Sequence, residues 1–519
     1  MRKLLGGLAI ILMLGLGVVR PSAQEGERRP ASILIVGGTV VDGTGAHGRR
    51  ADVRVLGDTI QEIGKLAPQP GERVIDARGL VVAPGFIDTH SHADAGLLEK
   101  PEAESQIRQG ITTVIVGQDG GSHFPLQMYF EQVQAKHIAP NLASFVGHGT
   151  VRSRVLGTDY KRHATPEEEA KMAALVDQEM QAGALGLSSG LEYDPGFYAT
   201  TEEVIACARE AGKYGGLYIS HVRNEDNQAF QSFRELIRIA EEGHLPAQIS
   251  HIKLGSKNVW GKAPDVLRLM QEADRRGLDI TADVYPYLYW QSTITALVPT
   301  RDWENRAIWE KGLADVGGPE HVLLTTYTPD PAWAGKTIAA LSAQTGKDPV
   351  TVIQEVVRHT HGKEATGREG VVVTAMSEDD LRTFLKAPRI MFCSDGVPGG
   401  SHPRGAGTYP RILGRYVREY HVLRLEEAIH KASALPAWRM GFADRGLIKT
   451  GMKADIVLFD PKTVIDMATT ANPTAPPVGL PYVLVNGVVV LDNGKMTGER
   501  PGMVLRRRSV QAAPIFFPR

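Results

Sequence analysis

The sequence predicts an α/β protein: a (β/α)8 barrel of the TIM type with a small β-sandwich domain built from both chain ends. Three observations carry this expectation. Short apolar runs alternate with helical patterns through the middle of the chain, as repeated βα units do. Eight such runs occur, at 86–90, 113–117, 142–147, 184–189, 217–221, 247–251, 279–284 and 389–394. Short β-like runs separated by Gly, Asp and Asn turns occupy both ends of the chain.

The chain opens with Arg2 and Lys3, an apolar stretch from Leu4 to Val19, and then Arg20-Pro21-Ser22-Ala23. Basic, hydrophobic and small-residue parts in that order read as a signal peptide over residues 1–23. The stretch falls short of the ~20 residues that a spanning helix needs. A secreted or periplasmic protein without stable membrane insertion is therefore expected.

Residues 31–84 are expected to form the first part of the sandwich, with strands at 32–41, 52–56 and 59–63. The second part, 441–510, contributes 456–459, 482–485 and 488–491. The barrel spans 85–440. Within it, the stretch at about 300–386 exceeds an ordinary loop and carries its own helical patterns, so it reads as an insertion that covers the site. Helix starts are legible at Thr165-Pro166-Glu167-Glu168 and Thr200-Thr201-Glu202-Glu203, where a threonine cap precedes a glutamate placed to return the hydrogen bond.

Composition bounds the function. The 519 residues, 42% hydrophobic and 23% charged, suffice for a barrel-sized core plus a satellite domain. A formal net charge of -1, from 58 basic and 59 acidic side chains, gives no field to attract nucleic acid or an anionic membrane. Cys207 and Cys393 stand far apart in helix and strand patterns and do not make a disulfide framework. Oligomeric state is not legible.

Chemistry gathers at the strand ends, where barrel enzymes place it. The first strand delivers His90 and His92, two residues apart and so on one face. The second delivers Asp119, the third His148, the fourth Glu192, the fifth His221, the sixth His251, the seventh Asp283 and Tyr285, and the eighth Asp395. Four histidines with one or two carboxylates suit one or two ions of a borderline metal, zinc above all. His148, in Val146-Gly147-His148-Gly149, either points into the site or orients the third strand's loop. Tyr285, Tyr287, Tyr289 and Trp290 either wall the site or pack the loop.

These residues fall into ordered motifs. They are Pro84-Gly-Phe-Ile-Asp-Thr-His-Ser-His92, Gly110-Ile-Thr-Thr-Val-Ile-Val-Gly117, Ser188-Ser-Gly-Leu-Glu-Tyr193, Ser220-His-Val-Arg-Asn-Glu225, Ile249-Ser-His-Ile-Lys253, Asp283-Val-Tyr-Pro-Tyr287 and Ser394-Asp-Gly396. His402-Pro-Arg404, Gly407 to Gly414 and Gly498-Glu-Arg-Pro-Gly502 complete the series. Taken together they resemble the amidohydrolase superfamily and, within it, the D-aminoacylase (N-acyl-D-amino-acid deacylase) family, from about residue 31 to about 507.

The resemblance implies a metal-dependent enzyme that cleaves linear amides with water. His90, His92, His221, His251 and Asp395 would hold metal, and Asp395 would also move the proton. Lys253, Tyr285 and Arg404 match positions that contact a substrate carboxylate, with Ser292 adding a hydrogen bond. Arg223, two residues beyond His221, is a second cationic candidate. One departure stands out: the family carries a metal-ligating cysteine after the second strand, where this chain reads Gly117-Gln118-Asp119-Gly120. Either Asp119 or Glu192 bridges the metals.

The expected substrate is a small molecule with a free carboxylate, an N-acyl-D-amino acid. A dipeptidase (D-residue, L or isoaspartyl) or a cyclic amidase would use the same chemistry. A barrel reduced to a non-catalytic binding module would have lost a ligand or the eighth strand's aspartate, and this chain retains all of them.

Overall fold

A computed structural model describes residues 32–361 and 365–507. The expected signal peptide lies outside the described residues.

Both chain ends meet in one sheet of nine strands. Its hydrogen-bonded path runs Lys495–Met496, Val488–Asp492, Tyr482–Val485, Ile456–Phe459, Val81–Pro84, Ser32–Val40, Arg49–Leu56 and Thr59–Gly64, with Arg73–Asp76 beside Ser32–Val40. The last strand of the path returns to the C-terminal half: Ile60 N donates to Met452 O (2.9 Å) and Gly451 N to Ile60 O (2.9 Å). The sheet therefore curls back on itself around Ile35, Val53, Val55, Ile456 and Leu458. Arg73–Asp76, Val81–Pro84 and Lys495–Met496 are strands that the sequence reading did not pick out. They are too short to display an alternating pattern of their own.

The period of two along these strands attaches the domain to the barrel. Ile456, Leu458 and Leu484 face the sheet's own core, whereas Val457, Phe459, Val483 and Val485 join the barrel's core. Strand Val81–Pro84 runs through Gly85 into the first barrel strand, Phe86–Asp88, without a linker. A Cβ at Gly85 would lie 2.3 Å from Thr112 side-chain atoms, so this junction requires glycine.

The barrel has eight parallel strands. After Phe86–Asp88 come Ile111–Val116, a third in two pieces (Asn141–Ser144 and Val146–Gly147), Gly186–Gly190, Leu217–His221, Ala247–Ile249, Ile280–Val284 and Ile390–Phe392. Closure between the last and the first rests on Asp395 N donating to His90 O (2.8 Å) and Ser394 N to the Asp88 carboxylate (2.7 Å). The helix Pro166–Gln181 carries the capping box read from Thr165 and Glu168, and Thr200 caps Thr201–Lys213.

The insertion is a subdomain with its own core, including Trp309, Val322, Leu324, Ile353, Val371 and Val373. Its sheet pairs Tyr289–Ser292 with Glu369–Thr374, then Val322–Tyr327 and Lys336–Thr337. The bounds differ from the expected 300–386. Tyr289–Ser292, read as an aromatic loop, already belongs to the insertion's sheet. Helix Glu378–Lys386 instead packs on helix Ala263–Arg275 and the eighth strand, and so belongs to the barrel.

Candidate metal centre

Three of the polar residues at the strand ends occupy the left-handed backbone region: Asp119 (φ +53°), His251 (φ +34°) and Asp395 (φ +47°). Such conformations cost non-glycine residues about 1–3 kcal/mol each and persist where the surroundings over-determine them. Here they turn the chain sharply as it leaves the strand. Asp119 is followed by Gly120 (φ +76°), and its carbonyl lies where a Cβ on Gly190 would approach to 2.2 Å. Two strand ends thus pack backbone to backbone to hold this carboxylate.

His90, His92, Asp119 and Asp395 form one group with ligand atoms all within 4.8 Å of one another, and Asp119, His221 and His251 form a second. Asp119 belongs to both. His90 and His92 approach the Asp119 carboxylate at 3.4 and 3.3 Å, and Asp395 at 3.7 and 3.3 Å. Glu192 shares neither group; it clusters with His221 and Glu225. The geometry therefore gives the shared position to Asp119.

The donor set fits zinc. His90 is fully buried, yet neither ring nitrogen has a hydrogen-bond partner, and buried Asp119 Oδ1 lacks one as well. Buried polar atoms left without partners are costly. A cation held by imidazole nitrogens and carboxylate oxygens accounts for His90 Nε2 and Asp119 Oδ1, and these are zinc's usual ligands outside thiolate sites.

Two further carboxylates, Glu192 and Glu225, stand beside His221 and His251. His221 turns Nδ1 toward His251 Nε2 (3.1 Å) and leaves Nε2 to Glu192 (2.7 Å). His251 turns its other nitrogen, Nδ1, to Glu225 (3.1 Å) and Lys253 (2.6 Å). Lys253 in turn donates to both Glu225 oxygens at 2.7 and 2.8 Å. Burial alone would raise the Glu225 carboxyl, but His221, Lys253 and His251 hold it well below the usual carboxylate range. Burial would likewise lower the Lys253 ammonium, and Glu225 more than reverses this.

Glu225 was not singled out from the sequence, although its place four residues after His221 was a signal. Tyr193 was missed too; its hydroxyl lies 3.3 Å from His221 Nδ1.

Asp395 Oδ2 pairs with Arg404 at 2.6 Å while Oδ1 faces His90 and His92. Against the effect of burial, Arg404, His251 and His92 keep this carboxyl well below its ordinary range. Arg404 lies 4.7 Å from the Tyr285 ring centre. Its Nε and the Tyr285 hydroxyl are both buried without a partner. Burial pushes the Tyr285 phenol up to about 12, so it is a donor at neutral pH.

These groups open into a cavity of about 500 Å³, lined also by Ser292 and Trp290 from the insertion. Two expected substrate contacts lie elsewhere. His148 is the first residue of helix His148–Leu156, and its Nε2 is bonded to Glu203 (2.9 Å) in a fully buried pair. Its alternative reading, a structural one, is what the fold uses. Arg223 is held by Glu235 (2.8 Å) and the carbonyls of Phe197 and Ala199, away from the cavity. Of the four aromatics after the seventh strand, Tyr285 and Trp290 line the cavity, while Tyr287 and Tyr289 pack against His402. Cys207 and Cys393 are both buried and free.

Comparison with known proteins agrees with this geometry. The amidohydrolase family model matches residues 73–491. N-acyl-D-glutamate deacylase of Alcaligenes xylosoxydans xylosoxydans is 36% identical over 509 residues, covering 93% of this chain and 98% of its own. The crystal structure of N-acyl-D-glutamate deacylase from Bordetella bronchiseptica, with zinc and a phosphonate mimic of the tetrahedral intermediate, superposes with a TM-score of 0.83. It is 34% identical, covering 92% of this chain and 100% of that one. A D-aminoacylase with a binuclear metal centre, one metal activating and the second attenuating, gives a TM-score of 0.81 at 34% identity and the same coverage. The barrel, the curled β domain and the ligand series at the strand ends accordingly place this chain in the amidohydrolase family, among the D-aminoacylases.

Proposed function

We propose that this protein is a zinc-dependent deacylase that hydrolyses the amide bond of N-acyl-D-amino acids, releasing the acyl group as a carboxylate and the free D-amino acid. The observation that carries the reading is one cavity in which two ligand groups share Asp119 while Asp395 and Arg404 stand 2.6 Å apart beside them. Zinc, one ion or two, supplies Lewis acidity toward the scissile carbonyl and activation of water when bound. The chain's own residues do the rest. Asp395 Oδ1 takes the proton of the attacking water and returns it to the leaving nitrogen. Arg404 Nε and the Tyr285 hydroxyl, both without partners, receive the substrate's carboxylate, and Lys253 adds positive charge beside them. The names of the similar proteins, deacylases of N-acyl-D-amino acids, support the same substrate class.

The test is hydrolysis of matched N-acetyl-D- and N-acetyl-L-amino acids by zinc-loaded protein. Release of D-amino acid alone is expected; equal rates on the L series, or no turnover of either, would overturn the reading. We propose further that the protein is exported, which Arg2-Lys3 and the apolar stretch 4–19 support. A reporter enzyme active only outside the cytoplasm, fused after residue 30, tests this.

A further inference from the structure

The Asp119 carboxylate meets members of both ligand groups: it lies 3.4 and 3.3 Å from His90 and His92, and 3.6 Å from His251. An aspartate carboxylate sits one methylene from the backbone. With χ1 confined to staggered wells, its place is set by the turn that carries it. That turn is left-handed at two successive residues, Asp119 (φ +53°) and Gly120 (φ +76°). At a non-glycine residue such a conformation persists only where neighbouring contacts over-determine it.

Those contacts come from both flanks. On one, the buried Gln118 amide donates to Thr89 O (3.2 Å), next to His90, and to Ile115 O (3.0 Å). On the other, Gly120 O accepts from Thr150 N (3.0 Å), and a Cβ at Gly147 would lie 2.3 Å from the same oxygen. The end of the third strand thus presses directly on the turn. Just beyond it, the Thr150 hydroxyl accepts from Ser122 N (2.9 Å) and donates to Ser122 O (3.2 Å). The Ser122 hydroxyl in turn accepts from Gly147 N (3.0 Å).

This grip is anchored at its far end. Thr150 belongs to helix His148–Leu156, whose first residue is fixed by the buried His148–Glu203 pair (2.9 Å), and Arg152 of the same helix bonds the same carboxylate. His148, which does not line the cavity, acquires a task by this route: it holds the helix that carries Thr150. Resting on the reading above, in which Asp119 serves both ligand groups, we propose that Thr150 is a positioning residue for the metal centre. Its hydroxyl clasps Ser122, and the clasp fixes the turn that presents the Asp119 carboxylate.

The experiment is a double-mutant cycle on zinc affinity, measured by competition against a chromophoric chelator. Thr150→Val removes the hydroxyl with little change of shape and should lower zinc affinity about tenfold, as loss of a group that orients a ligand does. Thr150→Ser keeps the hydroxyl and should retain most of the affinity. Asp119→Asn tolerates the left-handed backbone but gives up the charge. In that background Thr150→Val should cost little more, because the ligand it positions is gone. Wild-type affinity in Thr150→Val, or an equal loss in both backgrounds, would overturn the proposal. Undiminished affinity in Asp119→Asn alone would instead take Asp119 off the metal, and the reading on which the clasp rests would fall. Should the valine variant fail to fold, Thr150→Ala takes its place in the cycle. Because affinity is read without substrate, the outcome stands whether or not an N-acyl-D-amino acid is turned over.

Discussion

Glu192 Oε2 lies 2.7 Å from His221 Nε2, on the side of the imidazole turned away from His251. The carboxylate fixes which nitrogen of His221 is left for a metal, a role that carboxylates behind ligating histidines commonly fill. Glu192→Ala should lower zinc affinity about 10- to 100-fold, and Glu192→Gln less, because it keeps an acceptor. Competition against a chromophoric chelator measures this. Affinity equal to wild type in Glu192→Ala would mean that His221 needs no support.

Asp119 offers a direct spectroscopic test. If it is the ligand common to both groups, Asp119→Cys places a thiolate on the metal, and the cobalt-substituted variant should gain a sulfur-to-cobalt absorption band that the wild type lacks. A variant that binds cobalt without such a band would place Asp119 outside the coordination sphere.

Asp395 is assigned the proton transfer. Asp395→Asn should reduce kcat about 10²- to 10⁴-fold, the usual contribution of a positioned acid or base, while most of the bound zinc remains. Steady-state kinetics with metal analysis of the same sample checks both parts. Near-normal turnover would remove Asp395 from the mechanism.

Lys431 gives a prediction about stability. It is buried, donates to Ala387 O, and burial lowers its ammonium to about 7. Below pH 7 the group is charged in both folded and unfolded states, and the fold bears the whole cost of burying the charge. Between about 7 and its ordinary value near 10.5, the folded state releases the proton first, so stability from this group rises with pH. Lys431→Met should therefore raise Tm by a few degrees at pH 6, with the gap to wild type shrinking by pH 9. Thermal scans at the two pH values read it out; a constant gap would mean that Lys431 does not titrate in that window.

Much of the fold was legible because local pattern and global architecture agree. Runs such as Leu217–His221 are apolar and short and follow a helix with a clear threonine cap, and the structure places them where the periodicity put them. The bounds of the insertion were less legible. Tyr289–Ser292 pairs with Glu369–Thr374 some eighty residues later, and no local pattern announces a partner at that distance. At the site, the strand-end position of each residue could be read, but side-chain direction could not. His148 and Arg223 stand at strand ends like the others. Their rotamers are set by Glu203 and Glu235 on neighbouring helices, a tertiary choice invisible in sequence. The choice between Asp119 and Glu192 was open for the same reason, since it depends on which nitrogen His221 turns inward.

The central claim is that Asp119 joins the two ligand groups, and a crystal structure of zinc-loaded protein with anomalous data at the zinc edge tests it most directly. The account expects an anomalous peak bounded by Asp119, His221 Nδ1 and His251 Nε2, with any second peak among His90, His92, Asp119 and Asp395. A peak held by Glu192, His221 Nε2 and Glu225, with Asp119 left uncoordinated, would contradict it.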